Sequence, residues 1–447
     1  MSPEPRLHDQ FIETAFWHGS ASKAQLILDA NPSIANDIHV AAMLGDDEGV
    51  RRFLAHDASL AKARGGPRDV DALTHLCFSA FLRERRERAD AFVRAATALL
   101  DAGANANSGF FDESHRPHRE WESVLYGAAG VAFHAPLTRL LLERGADPND
   151  GEVPYHSVEG PDNDAFALLL DSGKLTKDSL NMMLLRKSDW HDYEGIRLVL
   201  DHGADVNQMS RFGRTVLHHA LISDNSLQII DLLLDRGADP YVVARDLRHG
   251  GGFRAGRSSI AVAARRGRSD VLASMARRDI PLKLDGVDAL VAACARGEAR
   301  EARAIAAREP SLIPELIDQG GELVAEFAGN DNDDGVALLI DLGVPVDARY
   351  FGDGYFGIAP DSTALHVAAW HMSNDTLDVL IHKGADVNTK NRKSETPLML
   401  AVRACVDSYW TRRRSPRPVK ALLAAGAKKD GVSVPSGYAA VDDLLRG

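Results

Sequence analysis

A run built on Gly-Ala-Asp-x-Asn returns seven times along the chain: GANAN at Gly103, GADPN at Gly145, GADVN at Gly203, GADP at Gly237, GVPVD at Gly343, GADVN at Gly384 and GAKKD at Gly426. Thr363 and Thr396 open equivalent segments 33 residues apart, with the run at Gly384 between them. Self-similarity near this period marks an array of supersecondary units, each touching its neighbours. A chain of 447 residues would ordinarily divide into about three globular domains, but a stacked array need not divide.

Each period has room for two helices of about 8–11 residues, too short to be stable alone, so each must bury its apolar face on neighbours. The first carries small residues, such as Ala368 and Ala369, where another helix approaches closely. The second carries large aliphatics, as in Leu232-Leu233-Leu234 and Val379-Leu380-Ile381, which fill the space between units. Glycine supplies the left-handed residue that ends this helix, and Asp and Asn suit the turn beyond. Threonine caps the next first helix, and Pro397 sits where a first turn tolerates proline. The pattern resembles the ankyrin repeat, whose Thr-Pro-Leu-His-x-Ala signature is followed about eighteen residues later by Gly-Ala-Asp-x-Asn. The likeness is most specific at Thr363–Asn388 and Thr215–Pro240 and extends over nearly the whole chain. It implies an all-α ankyrin-repeat solenoid of about twelve stacked helix-turn-helix units, with short hairpin fingers and several long insertions.

Read this way, residues 1–447 form a single array. Divergent units occupy 9–61, central units 70–240, degenerate units 256–316 and C-terminal units 318–430, with a half-unit cap at 436–446. Terminal units are atypical because one face meets solvent. In the first unit, Phe16, Leu26 and Leu28 are expected inward. The degenerate helices AVAARRGRS and ACARGEAREARAIAA carry few large aliphatics, which predicts weak coupling and fast amide exchange there.

A formal net charge of −12 disfavours nucleic acid as a partner. Cys77, Cys294 and Cys405 lie far apart without CxxC spacing, as expected of reduced thiols in a cytoplasmic protein. MSPEPRLHDQ lacks the blocks of a signal peptide, and no stretch of about 18 apolar residues points to a membrane. Without GxGxxG after a strand, a P-loop, HExxH or GxSxG, the reading is a non-enzyme with no cofactor and no metal site. His218 and His366 are expected to tie adjacent turns by hydrogen bonds. His115 and His118 lack a third ligand. The acidic run Asp331–Gly335 reads as a solvated turn, and Tyr409-Trp410 with Arg412–Arg414 as a solvated loop.

Departures from the period are where function is expected, since insertions collect on one face, often the binding face. Three fingers are long: SGFFDESHRPHREW, with Phe110, Phe111 and Trp121; DLRHGGGFRAGR, with Arg248, Phe253 and Arg254; and RYFGDGYFGIAP, with Tyr350, Phe351, Tyr355 and Phe356. Aromatic and arginine anchors dominate protein interfaces. The expected role is therefore a monomeric scaffold whose concave face and fingers hold a protein partner. The third finger is the main anchor through its four rings, and removing Phe351 and Phe356 together is the test. A different class of role is an array that regulates or delivers an enzyme, or one with catalytic residues hidden in 246–319.

Overall fold

The computed structural model describes residues 7–114, 119–245, 256–408 and 411–447. Contacts divide the chain into two compact units, one ending at Ser210 and one starting at Arg211. Both are built from helical pairs. All seven motif glycines have φ between +85° and +106° at the ends of second helices, the left-handed conformation that releases the chain into the finger.

The first unit opens with Leu7–Ala15 (α1) and Ala21–Ala30 (α2), then Ile38–Leu44 (α3) and Asp47–His56 (α4). Next come Ala72–Cys77 (α5), Ala80–Glu84 (α6) and Ala89–Asp101 (α7). Val124–Tyr126 (α8) runs into the π-turn Gly127–Val131 and precedes Ala135–Glu143 (α9). Glu152–His156 (α10), Asp164–Asp171 (α11), Lys177–Asp189 (α12) and Tyr193–Asp201 (α13) complete it. Strands among the described residues are confined to two antiparallel hairpins: Arg64–Gly65 (β1) with Val70–Asp71 (β2), and Gly109–Asp112 (β3) with Glu120–Ser123 (β4). Phe16 is buried, but Leu26 is 70% exposed and Leu28 only half-buried. The inward placement of these leucines is corrected: α2 buries Ala21 and Ala24 instead.

The second unit pairs Val216–Ile222 (α14) with Leu227–Asp235 (α15), Ser259–Arg265 (α16) with Ser269–Arg277 (α17), and Gly286–Ala295 (α18) with Ala299–Arg308 (α19). Leu312–Asp318 (α20) leads into Gly320–Gly329 (α21) and Asp333–Asp341 (α22). Ala364–His371 (α23) with Asn374–His382 (α24), Pro397–Ala404 (α25) with Arg417–Ala424 (α26), and the single helix Ala439–Arg446 (α27) follow. First helices form the core: every residue of α23 is buried, and the helix packs between α21 and α25. Histidine stitches the turns. His366 Nδ1 lies 3.0 Å from the Thr363 hydroxyl, and its Nε2 lies 3.0 Å from the Glu395 carbonyl of the next finger. His218 repeats this with Thr215 and the Arg257 carbonyl.

The period breaks at the degenerate repeats. α18 packs on α16 but turns to α20 and α22, leaving α16 in contact with α21 two first helices away. At Gly267, after α16, a Cβ would stand 2.7 Å from the Phe327 ring of α21. The arginines of AVAARRGRS are not solvated. Arg265 bonds Asp288 and Gln319, Arg268 bonds Asp270 and the Asn225 carbonyl, and all three of Arg265, Arg266 and Arg268 are buried. The acidic run is also corrected: Asn332 is buried, caps α22, and donates at 2.7 Å to both the Gly267 and Ala295 carbonyls. Weak apolar packing is thereby narrowed to α19, which buries only Ala302 and Ile305 where α15 buries Ile229, Ile230, Leu233 and Leu234. At about 25 cal/mol per Å² of apolar area, α19 amides should exchange faster than α15 amides by at least tenfold. Equal protection in native-state hydrogen exchange would refute this.

Candidate functional site

The third finger is built as a short β-like ribbon. Tyr350 N–H donates to the Ser362 carbonyl (2.8 Å), Asp361 N–H to the Tyr350 carbonyl (2.8 Å), and Asp353 and Ile358 exchange both backbone bonds. The Asp353 carboxylate accepts from the Tyr355 N–H at 2.8 Å, fixing the tip. Gly352 has φ +93° and approaches the Ile358 carbonyl so closely that a Cβ would lie 2.7 Å from it, so only glycine fits. At the base, Arg349 donates to the Asp361 and Lys390 carbonyls and the Thr389 hydroxyl. The finger is thus held at both ends.

Extended backbone turns Tyr350 and Phe351 to opposite faces, and the turn at 354–357 does the same for Tyr355 and Phe356. Tyr350 and Phe356 are buried, while Phe351 is 45% and Tyr355 54% exposed. Each exposed ring leans on a buried one, Phe351 on Tyr350 at 4.7 Å and Tyr355 on Phe356 at 4.8 Å. The expectation that all four rings meet a partner is therefore corrected: Tyr350 and Phe356 belong to the core, and Phe351 and Tyr355 are the exposed pair.

Beneath the buried rings lies a cluster of charges from four helical pairs. Arg266 donates to Asp224 at 2.6 Å and forms an ion pair with Glu326 at 2.7 Å. The Tyr350 hydroxyl donates to Glu326 at 3.2 Å. Arg266, Glu326, Tyr350, Phe356 and His371 line a cavity of about 10 Å³. Burial pushes the Glu326 carboxyl up to about 7 against the pull of Arg266, with Asp224 adding to the rise. Burial would likewise raise Asp224, but Arg266 outweighs it and holds that carboxyl low. Burial drives His371 down to about 4. Asp224 is thus held charged against the guanidinium, and Glu326 gains its own charge only near neutral pH.

Beside the finger opens a cleft of about 530 Å³, lined among others by Tyr355, Phe356, Trp370, Lys393, Arg403 and Asp407. Trp370 is fixed by its indole N–H donating to the Phe356 carbonyl at 2.7 Å. The Arg403 guanidinium stacks 4.6 Å over the Trp370 ring and pairs with Glu395. Trp370, Lys393 and Arg403 carry no motif that marks them as site residues. The one local signal was a tryptophan directly after Ala368-Ala369, where the repeat calls for small residues.

In the first unit, β3 and β4 form the first finger. Phe110 is buried among Phe16, Trp17 and Phe78 at 5.0–5.5 Å, a correction to its expected role in contacting a partner. Phe111 is 51% exposed and pairs edge-on with Trp121 across the strands at 4.9 Å. Below them, Glu122 is buried and lifted to about 8 by desolvation, then by Glu152. The second finger's Arg248, Phe253 and Arg254 lie outside the described residues, as do His115, His118, Tyr409 and Trp410.

Comparison with known proteins agrees with this architecture. Residues 184–234 match the model for ankyrin repeats in many copies, and 361–392 the model of the single ankyrin repeat. Ankyrin repeat protein L86 of Acanthamoeba polyphaga mimivirus is 28% identical over 138 residues, 29% of this chain and 22% of that protein. Ankyrin repeat protein FPV219 of Fowlpox virus (strain NVSL) is 34% identical over 114 residues, 24% of this chain and 26% of that one. An L-asparaginase of Dirofilaria immitis is 31% identical over 123 residues, 26% of this chain and 21% of the enzyme. The chain thus spans about a quarter or less of the length of these relatives. The human ASB11 ankyrin repeat domain aligns with 55% of this chain and 98% of its own at 18% identity, with a TM-score of 0.24. The ankyrin repeat domain of Bcl-3 aligns with 54% of this chain and 97% of its own at 22% identity, with a TM-score of 0.23. The recurring glycine register, the Thr-His stitch at each well-formed repeat and the two family matches together identify the chain as an ankyrin-repeat protein.

Proposed function

We propose that this protein is a non-catalytic binding module that holds a protein partner against the third finger and the cleft beside it. Ankyrin repeats generally serve protein interactions, but fold alone is a weak warrant. The observation that carries the reading is the pairing of Phe351 and Tyr355 with buried rings. Large apolar area stands in solvent on a finger that hydrogen bonds already hold rigid, so little further ordering is needed on binding. Such preorganised aromatic anchors beside a cleft are the usual energetic centre of an interface.

The test is Phe351→Ala with Tyr355→Ala, measured for thermal stability and for recovery of a stoichiometric protein from native extract. Covering the exposed half of each ring is worth about 1 kcal/mol or more, so affinity should fall by roughly tenfold to several hundredfold with little change in Tm. Unchanged recovery per folded molecule would overturn the proposal, as would the absence of any protein whose recovery depends on the finger.

A further inference from the structure

Between Lys390 and Lys420 the chain carries nine Lys or Arg against two acidic residues, a local excess of +7 in a protein whose formal net charge is −12. This segment forms much of the cleft beside the third finger. Lys393 and Arg403 line it, and the insertion that carries Arg412, Arg413 and Arg414 leaves from its Asp407 and Ser408. All three of those arginines are exposed. Resting on the reading of this cleft as the partner site, we infer that it takes an acidic peptide segment: carboxylates on Lys393 and the arginine rim, with a ring or large aliphatic against Tyr355.

Several of these cations are already satisfied within the fold. Arg392 pairs with Asp361, and Arg417 pairs with Asp375 and Asp378. Arg403 is neutralised by Glu395 and set flat on Trp370, so it shapes the cleft more than it charges it. Lys393 is exposed, and although it helps hold Glu395 charged, it forms no close ion pair among the described residues. An opposite charge brought to it in a partly enclosed cleft interacts more strongly than on open surface. The residues outside 390–420 sum to −19 (−12 minus +7), so an acidic segment is drawn to this region against a net repulsion from the rest of the chain.

Nucleic acid fits less well. A polyphosphate gains affinity from a long track of cations, each releasing counterions. Here Tyr355, Phe356 and Trp370 form one part of the lining, only Lys393 and Arg403 bring positive charge, and Asp407 interrupts it. A short peptide can place its carboxylates to either side of Asp407, whereas evenly spaced phosphates cannot skip it.

The experiment uses fluorescence anisotropy on the full chain with three labelled probes. These are a short peptide of Asp and Glu around one Tyr, its Asn and Gln counterpart, and a short single-stranded RNA. The acidic peptide should bind at low salt, weaken steeply as salt rises, and lose at least tenfold affinity on Lys393→Glu. Because Lys393 is exposed, that variant should fold normally. Arg412→Glu with Arg414→Glu should weaken it again from an independent position. Equal binding of the amide counterpart, lost on Tyr355→Ala, would overturn the acidic preference and leave the cleft as a partner site. Tighter binding of RNA would overturn it in favour of nucleic acid. Failure of the acidic peptide to bind at all also overturns it, and the finger variants in native extract then decide the broader reading separately.

Discussion

Arg266→Met should lower the stability of the second unit by about 3–5 kcal/mol, the largest loss expected from a single substitution in the chain. The guanidinium is buried between Asp224 and Glu326, and its removal strands the Asp224 carboxylate, and Glu326 once it ionises, in a buried site. Breaking a buried ion pair from one side costs this much because the partner's charge is left uncompensated. Adding Glu326→Gln to Arg266→Met should recover part of the loss, since the two positions share one network. Denaturant unfolding of the single and double variants checks this. A loss below about 1 kcal/mol, or strictly additive effects, would show that the cluster is electrostatically idle.

Glu326→Gln alone should change how stability depends on pH. Glu326 titrates near 7 in the folded chain, above its ordinary value of 4.5. Below pH 4.5 both states hold the proton. From there to pH 7 the unfolded chain ionises and the folded chain does not, so stability falls as pH rises. His371, lowered from 6.5 to about 4, works in the opposite sense. Above pH 6.5 both states are neutral. As pH drops toward 4 the unfolded chain protonates alone, and stability falls with falling pH. In the native protein the two slopes largely cancel between about pH 4.5 and 6.5. Glu326→Gln leaves the histidine slope exposed, so the variant should gain about 2–3 kcal/mol relative to the native chain between pH 4.5 and 7. Parallel stability curves would refute the shift at Glu326.

What the sequence made legible was local. The Gly-Ala-Asp runs mark helix ends because one residue type tolerates the required φ, and Thr363 with His366 marks a helix start because the two lie three residues apart. The division of the finger rings was only half legible. It follows once Tyr350 is known to face Ser362 and the turn is placed at 354–357, but nothing within RYFGDGYFGIAP states either. Asp224, Arg266, Glu326 and His371 come from four separate repeats, and each looks like a surface charge or an ordinary helix end by itself. Only the break in packing that lets α16 reach α21 brings them together. The arginine-rich composition of AVAARRGRS suggests weak packing, but burial makes those side chains structural.

The amide of Asn332 has a further consequence. A chain of units that touch only their neighbours unzips one link at a time from a free end, and any link can be deleted or duplicated with small effect. Here a single side chain clasps the carbonyls of Gly267 and Ala295, two successive earlier turns, so the region from 259 to 341 has no joint at which to part. Under force or mild denaturant, peeling from the C-terminus should halt at that clasp and then give way all at once. Evolution is likewise denied its easiest edit there: removing the α18–α19 repeat would leave Asn332 one acceptor short.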